Sequence, residues 1–229
     1  MSQTIPTHIG FILDGNRRWS KENNLPTLEG HKRGSEVFQD VALHAFKKGV
    51  KNVTGFVFSS ENWQRTDEEV GYLMGLVVKA VENYLDTFNK EGIKIVVLGR
   101  RDGLRAKVLK AIKKAEETTA NNANGTLGLC FNYGGQDEIV DAVKQIVKSN
   151  VDPQKIDRDL ISNYMYGSEL PDLDLIIRTS GEQRTSGFML WRSTYAEMMF
   201  NDKYWPAYSR EDLDKDLKCY ADRERRFGC

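Results

Sequence analysis

Twelve residues near the start of the chain, His8-Ile-Gly-Phe-Ile-Leu-Asp14-Gly15-Asn16-Arg17-Arg18-Trp19, run from an apolar stretch into an acid, a glycine, an asparagine and two arginines. An apolar strand that ends this way puts its polar residues at a carboxyl edge, where open α/β sheets bind ligands. Gly15-Asn16 can turn backbone N–H groups toward an anion, Arg17 and Arg18 supply forked positive charge, and Asp14 offers a hard oxygen to a cation. Asp-Gly and Gly-Asn are also ordinary turn dipeptides, and Asp14 has an alternative role as the cap of a following helix. A second cluster far along the chain, Arg178-Thr-Ser-Gly-Glu-Gln-Arg184-Thr-Ser186, again follows an apolar run, Leu173-Asp-Leu-Ile-Ile177. Two cationic loops after two strands suit two anionic groups.

The elements that must position these loops can be read from periodicity. Short runs rich in β-branched and aromatic residues fall at 9–13, 53–58, 93–98, 127–132, 173–178 and 188–191, and each reads as a strand. The clearest helix covers 67–89, where Val70, Leu73, Met74, Val77, Val81, Tyr84, Leu85 and Phe88 recur at three- and four-residue spacing. Thr66 or Asp67 serves as its N-cap, with Glu68 and Glu69 in the first turn. Further helices are expected at 33–48, 103–121, 136–148, 157–165 and 210–227. Strands alternating with helices predict one α/β domain over residues 1–229, a mainly parallel six-stranded sheet covered by helices.

Further segments carry candidate chemistry: Gly30-His31, Phe58-Ser59-Ser60-Glu61-Asn62-Trp63 with Arg65 and Glu69, Asn132-Tyr-Gly-Gly135, Trp191 with Tyr195-Ala-Glu197, and Arg223-Glu-Arg-Arg226-Phe-Gly228. In this order and spacing, over nearly the whole chain, they resemble the cis-prenyltransferases, the undecaprenyl diphosphate synthase and dehydrodolichyl diphosphate synthase family. The resemblance implies that family's fold, with a hydrophobic tunnel, and a Mg²⁺-dependent condensation of isopentenyl diphosphate with an allylic diphosphate such as farnesyl diphosphate. It also implies a cis double bond in the product and release of diphosphate. Asp14 is then the leading catalytic residue, holding Mg²⁺ together with Glu197, while Gly15, Asn16, Arg17, Arg18, Trp19 and His31 form the allylic-diphosphate site. Ser59 and Asn62 lie near the reacting carbons, with Asn62, Ser59 or a diphosphate oxygen open as proton acceptor. Phe58, Ser60, Glu61 and Trp63 shape the pocket and Arg65 contacts phosphate, although Ser60 and Trp63 also fit a plain turn beside core aromatics. Glu69 fits either a carboxylate paired with an arginine or direct participation. Arg178, Arg184 and Ser186 match the isopentenyl-diphosphate site, and Arg226 and Gly228 match an ending that reaches across a homodimer. By default the apolar face of the 67–89 helix is core; the resemblance adds that Val57, Leu73, Val77 and Phe131 line the tunnel.

Two departures from the family pattern coincide. Many bacterial members have glycine where this chain has Arg17, and many carry a phosphate-contacting arginine where it has Thr27. Arg17 is therefore expected to supply the charge that Thr27 lacks.

Composition narrows the alternatives. Thirty-three basic and thirty-three acidic residues cancel, which argues against bulk nucleic-acid binding. Cys130, Cys219 and Cys229 form no CxxC pair, as befits a reducing cytoplasm rather than a disulfide or zinc framework. The first six residues lack a leader pattern and no run of eighteen apolar residues occurs, so the expected protein is soluble, or at most touches a membrane through its product. Neither GxxxxGK[ST] nor GxGxxG is present, and the Asp-Asp-x-x-Asp motif of trans-prenyl synthases is missing. A non-catalytic partner subunit of the same fold would be expected to lose Asp14 or its loop, and both remain.

Overall fold

The computed structural model describes residues 4–223. Arg226 and Gly228, and the end of the last predicted helix, lie outside the described residues. Six strands, β1 (His8–Ile12), β2 (Asn52–Ser59), β3 (Ile93–Leu98), β4 (Gly125–Tyr133), β5 (Leu175–Arg178) and β6 (Glu197–Phe200), form one sheet in the order β3-β4-β2-β1-β5-β6. Every pairing is parallel. Among the described residues, seven α-helices cover it: α1 (Asn16–Glu22), α2 (Thr27–Lys47), α3 (Asp67–Lys90), α4 (Ala106–Thr119), α5 (Gly135–Lys148), α6 (Arg158–Tyr164) and α7 (Arg210–Ala221).

The strand order reverses at β1, which has β2 on one side and β5 on the other. Such a switch point opens a crevice at the carboxyl ends of the strands. Asp14 stands two residues beyond β1 and Arg178 ends β5 beside it, so the two cationic loops flank the same crevice.

Alternation along the central strands feeds two cores. Ile9 and Phe11 face a large cluster built with α2, α3, α4 and α7, while Ile12 faces a smaller one containing Ile176, Phe188 and Met189. Gly10 is required by close approach: a Cβ there would lie 2.5 Å from the Phe188 ring. That contact explains where the sequence pattern misleads. Phe188 to Trp191 is a series of turns, not a strand, because Ser186, Gly187 and Met189 hold positive φ of 49°, 80° and 42°. The apolar character of Phe188 and Met189 comes from plugging the core, both being fully buried. The sixth strand is instead Glu197–Phe200, four residues paired with β5.

Helix α1 is the helix that the alternative reading of Asp14 places after it. It is entered through Gly15, whose φ of 101° a side chain would strain, and Gly15 rather than Asp14 occupies its N-cap. Its packing on α2 depends on two glycines one turn apart. A Cβ on Gly30 would fall 2.1 Å from the Asn16 carbonyl oxygen, and one on Gly34 would fall 2.2 Å from Asn16 Oδ1. The Gly30-His31 pair thus lets the α1 backbone rest directly on α2.

Helix α3 starts as expected, Thr66 Oγ1 accepting the Glu69 N–H at 3.3 Å. Its apolar stripe closes over the sheet. Among the described residues, no helix is long and apolar enough to cross a membrane.

Candidate active site

Asp14 is held from both sides of its peptide. Its N–H donates to Thr179 Oγ1 at 3.1 Å, the Thr179 hydroxyl donates to its carbonyl at 2.7 Å, and the Trp205 N–H donates to the same carbonyl at 2.9 Å. The carboxylate then faces two guanidinium groups: Arg178 Nη2 donates to Oδ2 at 2.8 Å and Arg18 Nη2 to Oδ1 at 3.2 Å. Arg178 is only 4% exposed and also donates through Nη1 to the Arg184 carbonyl at 2.5 Å and Ser186 Oγ at 2.8 Å. The first cationic loop is therefore tied to the second through one buried arginine, and a planar fork is what that geometry demands.

A cationic pocket of about 660 Å³ lies over this junction, lined by Asp14, Gly15, Asn16, Arg17, Arg18, Lys21, Thr27, His31 and Arg65 with Leu13 and Leu25. Asp14 is the only acid among these residues. Arg18 and Arg65 already have carboxylate partners, Asp14 and Glu182 for the first and Glu69 for the second. Arg17 and Lys21 have none among the described residues and sit one turn apart on α1. Like charges at that spacing repel, and an anion in the pocket would offset the repulsion.

His31 sits where the pocket turns inward. Its Nε2–H donates to Glu69 Oε1 at 3.1 Å, and Arg65 Nη1 donates to the same oxygen at 2.9 Å. Of the two readings left open for Glu69, the structure supplies the pairing one: this carboxylate orients both His31 and Arg65. Burial pushes the His31 imidazole below its ordinary value, leaving it neutral near pH 7.

Behind His31 runs an elongated apolar cavity of about 200 Å³ between α3, α2 and the sheet. Val57, Leu73, Val77 and Phe131, the four residues expected to line a tunnel, all line it, together with Phe38, Tyr84 and Phe88. Leu13, Asn16, His31 and Arg65 belong to both cavities, so the apolar bore opens onto the cationic pocket. Phe58 closes the near wall, its ring tilted on Phe131 at 5.5 Å and edge-on to Trp63 at 5.4 Å. A break in the β2–β4 register at Phe56, Phe58 and Ser59 turns this strand end toward the pocket. Ser59 and Asn62 form a reciprocal capping box on the short helix Ser60–Gln64, Asn62 Oδ1 accepting the Ser59 N–H at 3.1 Å. Asn62 also lines the bore.

The remaining sequence candidates fall elsewhere. Trp19, Ser59, Ser60, Glu61 and Trp63 line neither cavity, and Trp63 Nε1 donates to Asn132 Oδ1 at 2.7 Å. Glu197 begins β6 level with Leu175 and Ile9, three positions before the level of Arg178, or roughly 10 Å along the strands. There it is bonded by Arg223. Asp14 and Glu197, expected from the sequence to share a metal, do not meet within one chain, because Glu197 stands at the start of its strand and Asp14 beyond the end of its own.

Four residues at the site escape the sequence reading as individuals. Lys21 is readable only once α1 is placed, as the residue four beyond Arg17. Thr179, Ser180 and Glu182 lie inside the second cationic cluster without roles of their own. Ser180 has a φ of 79° and its Oγ is buried without a partner among the described residues, as are Arg178 Nε and Asn16 Oδ1. Buried unpaired polar atoms are uncommon, and all three fall in the two loops around Asp14.

An open parallel sheet with two arginine loops at its switch point, and an apolar bore leading from the first of them, suits a molecule with a charged head and a long apolar tail. Residues 12–228 match the family model described as putative undecaprenyl diphosphate synthase. The chain is 43% identical over 226 residues to the isoprenyl transferase of Thermotoga maritima, covering 98% of this chain and 97% of that protein. It is 41% identical over 228 residues to the decaprenyl diphosphate synthase of Mycobacterium tuberculosis, covering 98% and 77%. Its fold superimposes on lavandulyl diphosphate synthase from Lavandula x intermedia, solved with dimethylallyl diphosphate, with a TM-score of 0.94 at 28% identity over 98% and 99% of the chains. A probable undecaprenyl diphosphate synthase from Campylobacter jejuni gives 0.83 at 25% identity over 99% and 100%. The chain belongs to the undecaprenyl diphosphate synthase family, the cis-prenyltransferases, and is a transferase of prenyl groups.

Proposed function

We propose that this transferase condenses isopentenyl diphosphate with an allylic diphosphate such as farnesyl diphosphate, giving a Z-configured polyprenyl diphosphate and releasing diphosphate. The observation that carries this reading is the apolar bore that opens, through Leu13, Asn16, His31 and Arg65, onto a pocket rich in cations. A prenyl diphosphate has that polarity: a hydrocarbon tail and a polyanionic head. Arg17, Arg18 and Lys21 bind the allylic headgroup, with Gly15 making the left-handed turn that starts their helix against Tyr204, and Arg178, Arg184 and Ser186 bind isopentenyl diphosphate.

The donor set suits a hard cation, since one carboxylate, Asp14, lies among phosphate-binding groups, and Mg²⁺ needs only one or two carboxylates when phosphates and water complete its shell. Held by Asp14, Mg²⁺ would neutralise charge growing on the departing diphosphate. On this reading Glu197 reaches that ion from a second copy of the chain, in a homodimer. The allylic C–O bond breaks, its electron pair leaving with diphosphate, and the double bond of isopentenyl diphosphate forms the new C–C bond. A proton is then lost. Asn62 is an amide of negligible basicity whose oxygen is already engaged, so it orients, and a diphosphate oxygen takes the proton. The reading places the protein in the cytoplasm, touching membrane through its product.

The test is incubation of the purified chain with labelled isopentenyl diphosphate, Mg²⁺ and allylic primers of several lengths, followed by sizing of products. Incorporation is expected with at least one primer, and Asp14→Ala is expected to abolish it in a folded protein. No incorporation with any primer defeats the proposal.

A further inference from the structure

Glu182 occupies a position that neither loop's chemistry explains. Its Oε1 accepts from Arg18 Nη1 at 3.0 Å and its Oε2 from Arg184 Nη1 at 2.5 Å. Arg18 belongs to the loop after β1 and Arg184 to the loop after β5, so this carboxylate bridges the two cationic loops. The bridge lies at the mouth rather than in the core: the side chains of Arg18, Arg184 and Glu182 are 43%, 59% and 29% exposed. Deeper in, Asp14 and Arg178 tie the same loops together, and Arg178 reaches the loop of Arg184 through a carbonyl. A structural tether is already in place without Glu182.

We propose that Glu182 is an internal counter-anion that couples the two diphosphate subsites, its carboxylate taking the place on Arg18 and Arg184 that phosphate oxygens take when substrates bind. The inference rests on the two-diphosphate reading above and goes beyond it by naming what the subsites share. Each oxygen of Glu182 sits at charge-assisted hydrogen-bond distance from a guanidinium, the distance a phosphate oxygen would adopt. A diphosphate arriving at Arg18 must displace one of those oxygens, or else suffer repulsion from the carboxylate. The negative charge then seated on Arg18 repels the carboxylate from its bridging place, which weakens its hold on Arg184 and opens the second subsite for the second diphosphate. Coupling of this kind is reciprocal: whichever headgroup binds first favours the other by the same factor. An orthophosphate at one arginine replaces only half of the bridge, so small anions compete poorly. The Arg184 guanidinium holds Glu182 below the usual carboxylate range, which keeps the counter-anion charged across the working pH range.

Inorganic diphosphate, a product of the proposed reaction, is the probe, titrated calorimetrically into the intact protein without added Mg²⁺. The wild type is expected to bind two molecules with positive cooperativity and to bind orthophosphate weakly. In Glu182→Gln the first diphosphate binds more tightly, cooperativity disappears, and orthophosphate binding strengthens by a similar factor. Two exposed ion pairs correspond to roughly a two- to thirtyfold change. Glu182→Ala must behave alike, and matching thermal melts establish that both variants fold. Unchanged isotherms overturn the proposal, and so does weaker binding in both variants, which would mean that Glu182 positions the arginines rather than competing for them. If the wild type binds no diphosphate, it is the two-diphosphate reading that falls.

Discussion

The tightest demand that the structure places on the proposed allylic site is made by a residue with no side chain. A Cβ added to Gly30 would lie 2.1 Å from the Asn16 carbonyl oxygen and 2.4 Å from Ser20 Oγ, where ordinary contact begins at 3.4 Å. The hydroxyl of Ser20 can rotate away; the carbonyl is backbone and cannot. In Gly30→Ala, helix α1 must therefore move off α2 by about 1 Å, taking Arg17, Arg18 and Lys21 with it. Overpacking of this kind costs about 1–3 kcal/mol, which for a chain of this size lowers Tm by roughly 2–12 °C. A displacement of about 1 Å at groups that position a reacting bond costs on the order of a hundredfold in rate, so kcat/KM for the allylic primer is expected to fall by about that factor. The KM for isopentenyl diphosphate should move much less, because Arg178 and Arg184 stand on other elements. Gly71→Ala and Gly75→Ala provide the contrast: both lie within α3 and a Cβ at either meets nothing within 4 Å. Each should raise stability by about 0.5–1 kcal/mol through helix propensity alone, with kinetics unchanged. Thermal melts and steady-state kinetics on the three variants decide the matter. A Gly30→Ala variant as stable and as active as the wild type would refute the claim that backbone contact at Gly30 sets the position of the phosphate-binding helix.

Other substitutions probe the remaining parts of the site. Arg178→Lys keeps the charge but cannot span Asp14, Ser186 and the Arg184 carbonyl together; a loss of about 1–3 kcal/mol in stability and at least a tenfold rise in the KM for isopentenyl diphosphate are expected. Lys21→Ala and Arg17→Gly should each raise the allylic KM several-fold and reduce its salt dependence, since neither residue has another ion-pair partner among the described residues; an unchanged allylic KM for Arg17→Gly would end the idea that it compensates for Thr27. His8 is buried, donates through Nδ1 to the Pro171 carbonyl and accepts at Nε2 from Thr54, and burial lowers its pKa from 6.5 to about 4. The unfolded chain binds the proton more readily, so the stabilisation is complete above pH 6.5 and is lost as pH falls toward 4, up to about 3 kcal/mol. Denaturant melts across that range should show this slope in the wild type and a shallower one in His8→Gln.

Much of this site can be read from residue order because its chemistry is carried by contiguous loops. The stretch from Asp14 to Arg18 and the stretch from Arg178 to Ser186 each follow a strand, and the sheet order brings them together as two loops at a switch point must come together. The tunnel is legible for a similar reason: Leu73 and Val77 fall on the stripe of α3 that any burial would turn inward. What escapes lacks a local signature. Helix α1 has only seven residues and little apolar periodicity, so Lys21 cannot be placed on a face. Apolar residues at Phe188 and Met189 imitate a strand because a buried loop needs the same side chains, and only the positive φ values distinguish the two. The separation of Glu197 from Asp14 depends on the register of three strands, a long-range quantity that no spacing along the chain encodes.

The same register bears on how a chain can be elongated without releasing its tail. The residues shared by the bore and the pocket, Asn16, His31 and Arg65, are fixed by groups that take no part in binding a headgroup: Asn16 by Gly30 and Gly34 of α2, His31 and Arg65 by Glu69 of α3. The cations proposed to meet the headgroups are held differently. Arg18 and Arg184 are exposed, Arg18 lies over the Tyr204 ring, and both pair with Glu182, a carboxylate that a diphosphate can replace. A rigid neck and exchangeable outer ion pairs allow one headgroup to depart and a new one to be drawn from the Arg178 side while the hydrocarbon stays seated among Leu73, Val77 and Phe131. Loosening the neck and loosening the mouth should therefore have opposite signatures. Glu69→Gln, which weakens the hold on both His31 and Arg65, should release products early and shorten them. Glu182→Gln should leave product length alone and change only how the two diphosphates assist each other.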